Sequence, residues 1–72
     1  MAINYQKKAT EIFTELFHEP WMNNEQWNAF QRKAIKECNY GTRNLAFDLE
    51  SQYIHPNRID EKLNEVKQKV RI

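Results

Sequence analysis

Glycine is nearly absent from this chain: Gly41 stands alone. No glycine-rich loop is available to cradle a phosphate. Cysteine is equally scarce, and the single Cys38 excludes an internal disulfide and the stapled frameworks of small secreted domains. A reducing, cytoplasmic setting is the expectation. Long apolar runs are missing too, and nothing approaches the roughly 20 residues that cross a bilayer. Asn4, Gln6, Lys7 and Lys8 interrupt the N-terminal stretch before a signal-peptide core can form. Neither sign of charge is in excess, since 11 Lys and Arg face 10 Asp and Glu for a net charge of +1. That balance argues against a domain specialised for polyanions, which usually carries a basic surplus.

What is present suits one small folded unit spanning 1–72, with 40% hydrophobic residues and 29% charged ones of nearly cancelling sign. Starting at Met1, it reads as a complete small gene product. Its Lys, Asn and Ile usage suits an AT-rich genome, and chains this short are common on phages and mobile elements.

The expected fold class is all-α, a compact bundle of three to four short helices. The first should span about 3 to 18, because Ala9, Ile12, Phe13, Leu16 and Phe17 recur at three- and four-residue spacing and Pro20 ends the run. The second has the best-marked start: Asn23 as N-cap, Gln26 to complete a capping box, Met22 as a staple on Trp27, and Glu25 in the first turn. Its stripe is Trp27, Phe30, Ala34, Ile35 and Cys38, with Gly41 available to close it in the left-handed conformation. A third segment, about 43 to 54 and capped by Thr42 or Asn44, carries Leu45, Ala46, Leu49, Tyr53 and Ile54 at helical spacing. Leu45, Phe47 and Leu49 also alternate, but a lone strand would have no partner. After Pro56, Asn57 should cap a last helix with a seam of Ile59, Leu63, Val66 and Val70, and Lys67, Lys69 and Arg71 near its end. Lys62, Lys67 and Lys69 oppose the ridge Glu11, Glu15 and Glu19, so the last helix is expected to pack on the first. Such surface pairs give only about 0–1 kcal/mol each.

Chemistry-bearing constellations are sparse. His18, His55 and Cys38 are the only soft metal-ligand candidates and have no metal-site spacing, so no metal or cofactor is expected. Cys38 sits at helical spacing from Phe30 and Ala34, which makes it a core thiol rather than a nucleophile. No catalytic residues are assigned.

The aromatic surplus is harder to place in a core. Trp21, Met22, Trp27 and Phe47, with Tyr40 and Arg43 at the edge, form the candidate contact set of a non-enzymatic protein-binding module, an inhibitor or adaptor that occupies a larger protein. The identity of that protein is not readable. The alternative is a small DNA- or RNA-binding regulator using Arg32, Lys33, Lys36 and Arg43, with Tyr40 interleaved. Self-association is compatible with both, and no membrane role is expected.

Overall fold

The computed structural model describes residues 2–54 and 56–70, which form α1 (Tyr5–Phe17), α2 (Asn24–Cys38), α3 (Thr42–Glu50) and α4 (Arg58–Lys69). There is no strand among the described residues. The chain is therefore an all-α bundle, and the segment with the ambiguous alternation is a helix.

Local chemistry explains the helix ends. Asn4 caps α1 by accepting from the Lys7 amide at 3.0 Å, and His18 closes it by donating its amide to the Thr14 carbonyl at 2.9 Å. At α2 the capping box is complete: Asn23 Oδ1 accepts from the Gln26 amide at 2.8 Å, and Gln26 Oε1 accepts from the Asn23 amide at 2.9 Å. The C-terminus of α2 differs from expectation. Asn39, not Gly41, takes the left-handed conformation (φ 51, ψ 42), while Gly41 is extended (φ −148). Asn tolerates that region through its short polar side chain. A small residue is favoured at 41 for another reason: a Cβ there would lie 3.1 Å from Ile35 Cγ1.

Two further boundaries are corrected. Thr42 begins α3 rather than capping it, and Asn44 acts in reverse by accepting the Gly41 amide at 3.0 Å. The helix then stops at Glu50. Tyr53 and Ile54 lie in the following turn, 81% and 57% exposed, where the Ile54 amide bonds the Ser51 carbonyl ahead of Pro56. Asn57 stands at the start of α4 without a side-chain cap bond. His55 and Arg71 fall outside the described residues.

Packing departs from the charge-based expectation as well. The most extensive backbone contact joins α1 to α3, and α4 lies against α2 and α3. The acidic ridge of α1 forms no ion pair with α4 among the described residues. Lys62 and Lys69 instead bond Glu65 of their own helix at 3.3 and 3.1 Å, and these bonds, from Lys69 first, hold the Glu65 carboxyl below its ordinary range. Pairs worth so little do not choose helix neighbours; apolar faces do. The anticipated seam of α4 is used, with Val66 and Val70 buried and Ile59 and Leu63 packed partly against the core.

The core holds Ala9, Phe13, Phe30, Ala34, Cys38, Leu45, Leu49 and Val66, with Tyr40 among them. Small residues at Ala9 and Ala34 permit close approach. Between α1 and α2 the contact is instead a layer of rings. Trp27 stacks on Phe30 (centroids 5.7 Å apart, planes 8° apart), Phe17 meets Phe30 at 5.5 Å, and His18 sits edge-on to Trp27 at 4.9 Å. Leu16 and Ile35, expected on the inward stripes, are half exposed.

Candidate functional site

The structure divides the sequence-derived contact set between two surfaces that share no lining residue. The first surrounds Trp21. This residue follows Pro20 in the link between α1 and α2, where the Met22 amide bonds the Glu19 carbonyl at 3.0 Å and turns the chain sharply. Trp21 is 54% exposed, and its indole N–H has no protein acceptor among the described residues. Met22 is buried, which removes it from an exposed contact set. It lines a cleft of about 170 Å³ with Leu16, Phe17, Trp21, Phe30 and Val70, and with the charged Glu19 and Lys67. Trp27 is also corrected: it is half-buried in the ring layer.

The cleft under Trp21 is one part of a longer groove. On one side it continues between α1 and α4 into a trough of about 450 Å³ walled by Leu16, Phe17, Leu63 and Lys67. On the other, Trp21 and Phe30 border a shallow depression of about 220 Å³ reaching Ala29 and Lys33. The trough opens where α1 and α4 had been expected to pack. Leu16, half exposed, lies along it.

The second surface gathers Tyr40, Arg43 and Phe47 with Asn39, Asn44, Asp48, Arg58 and Lys62 around a cleft of about 180 Å³ between the α2–α3 turn and the start of α4. Phe47 is 61% exposed on its rim. Tyr40 is only 2% exposed, so it is a structural residue rather than the edge of an exposed contact set. Its hydroxyl donates to Asp48 Oδ2 at 2.9 Å, and Arg58 Nε lies 3.5 Å from Asp48 Oδ1. Burial, and then the hydrogen bond to Asp48, push the Tyr40 hydroxyl well above its ordinary pKa of 10.0. Asp48 is the buried charge of the core, and sequence reasoning passed over it. The signal was its position: three residues after Leu45 and one before Leu49, on the apolar stripe of α3, where a carboxylate needs partners.

Of the basic set, Arg32, Lys33 and Lys36 are all exposed on α2, away from its buried face. Lys33 borders the Trp21 depression and Arg43 the second cleft, so the four cations do not line one cleft. Cys38 is buried, its thiol near the Glu65 carbonyl at 3.9 Å, and burial raises its pKa. No group of three His, Cys, Asp or Glu side chains that could hold a metal occurs among the described residues. None of their helices is long and apolar enough to cross a membrane. Comparison with protein-family models, with curated proteins and with solved structures gave no match, so any functional reading rests on the chain's own residues and geometry.

Proposed function

We propose that this chain is a non-enzymatic protein-binding module that acts by occupying a larger protein, with Trp21 as its anchor. The observation that carries this reading is the placement of Trp21: a half-exposed indole on a turn, its N–H without an acceptor among the described residues, lining both the cleft with Phe17 and Met22 and the apolar depression beside Phe30. Tryptophan in such a position gives a large contact area and a polar handle at small entropic cost. Leu16, 53% exposed along the same groove, extends the apolar surface beyond a single side chain.

The test compares wild type with Trp21→Ala in affinity capture from the native host, read by mass spectrometry. Trp21→Ala should shift the urea melt by no more than about 1 kcal/mol. It should weaken capture of the partner by about 2 kcal/mol or more, the size of an interface hot spot. A large loss of stability would make Trp21 a core residue and remove the centre of the proposed surface.

A further inference from the structure

The second cleft is unlike the rest of the molecule. Three cations, Arg43, Arg58 and Lys62, line it with one carboxylate, Asp48; Lys62 is bonded to Glu65, which leaves Arg43 and Arg58 beside Asp48 in a chain that carries only +1. That carboxylate is already engaged: Tyr40 donates to one oxygen and Arg58 Nε lies beside the other. The arrangement has a consequence for Arg58. Asp48 is 2% exposed and fixed in the core, while the Arg58 side chain is 52% exposed. The buried anion lies beside the guanidinium with no hydrogen bond between them, so the exposed planar head and its donors remain available to a phosphate. Arg43, in the first turn of α3, is exposed and pairs with no carboxylate among the described residues. Asn44 spends its oxygen on the Gly41 amide, which leaves its NH₂ as a further donor. Phe47 projects at the rim of the same cleft, 61% exposed, where an unburied ring has no role in the core.

We infer that this cleft binds single-stranded nucleic acid, with a backbone phosphate held by Arg58 and Arg43 and a neighbouring base stacked on Phe47. Adjacent cations and an exposed ring are the elements of sequence-tolerant single-strand binding. Duplex is a poorer fit, because its bases are stacked on each other and cannot reach Phe47. The inference does not rest on Trp21, and either surface can fail alone.

The experiment is an anisotropy titration of a short oligothymidylate, labelled at its 3′ end, with the full chain over a range of salt concentrations. Wild type should bind saturably at low salt. Arg43→Gln and Arg58→Gln should each weaken binding, and the double variant should lower the log–log salt slope by about 0.7, the value for one phosphate on a single strand. Phe47→Ala should weaken binding about 5- to 150-fold and leave the salt slope unchanged. Arg43 and Phe47 are exposed and make no side-chain bond among the described residues, so these two variants keep the test valid if Arg58→Gln unfolds the protein. Binding that is absent at low salt, or indifferent to Phe47→Ala, overturns the inference. So does an equal loss on neutralising Arg32 and Lys36, since diffuse attraction would then suffice. Competition by duplex or by polyglutamate as effective as that of an unlabelled strand also overturns it. Displacement by AMP equal to that by the strand would replace the strand with a free nucleotide.

Discussion

At the scale of single residues, the contact with most at stake is the one between the Tyr40 hydroxyl and Asp48. A carboxylate removed from water must have its charge answered nearby, and Asp48 is answered from two other elements, the α2–α3 turn and the start of α4. Tyr40→Phe keeps the ring and removes a donor from a buried anion. It should cost about 1–3 kcal/mol, seen as a lower urea midpoint. The same pair implies an alkaline dependence. The folded state holds the Tyr40 proton at pH values where the unfolded chain, titrating near 10.0, has released it. Protons are then bound more by the folded state, so stability falls as pH rises. The contribution is intact below the unfolded pKa and is lost progressively above it. Urea midpoints of wild type should decline between about pH 9 and pH 11 more steeply than those of Tyr40→Phe. Equal declines would show that the hydroxyl ionises as freely in the fold as outside it.

At the scale of elements, the helix termini test the local chemistry directly. Asn23→Ala removes the side-chain acceptor at the start of α2 and should cost about 0.5–2 kcal/mol, with the midpoint of the urea transition lowered and its slope unchanged. At the other end, Asn39→Gly should be tolerated, since glycine occupies φ 51 without strain. Asn39→Ala should cost about 1–2 kcal/mol, the penalty for a Cβ in the left-handed region. If both variants melt alike, the backbone at 39 is not held there. The start of α2 was legible in the sequence because its signal is local: Asn23 and Gln26 are three residues apart and satisfy each other. The end of α3 was not, because Tyr53 and Ile54 continue a helical spacing that the chain abandons at Ser51, and spacing alone does not register a turn. Helix partners were less legible still. Glu11, Glu15 and Glu19 suggested that α4 packs on α1, but Lys62 and Lys69 find Glu65 one turn away on their own helix. The Trp21 surface could be read in part, since Pro20 and Asn23 fix it in a link. The division of Phe47 and Arg43 onto another cleft depends on how α3 and α4 meet, which no local pattern encodes.

At the scale of the whole molecule, the principal extents of 34 × 25 × 17 Å describe a flattened bundle. Its thinnest dimension, 17 Å, accommodates two helix layers at an axis spacing of about 8–10 Å, and α4 lies against α2 and α3 through its seam. Val66 and Val70 are the buried residues of that seam, and the Cys38 thiol of α2 meets the backbone of α4 at Glu65, next in sequence to Val66. Cys38 is therefore a reporter of α4 docking. In native protein it should react slowly with a thiol reagent and quickly once unfolded, because burial both shields the sulfur and raises its pKa. If α4 detaches while the α1–α3 contact persists, labelling proceeds through that partial opening and not through global unfolding. Val66→Ala leaves a void in the seam and should destabilise by about 2 kcal/mol. On that route it should speed native-state labelling more than tenfold. A substitution on α1, such as Ala9→Gly, should lower the melting midpoint while leaving the labelling rate almost unchanged. Equal acceleration by both variants would mean that the bundle opens only as one unit, and rapid labelling of the wild type would place the thiol at the surface.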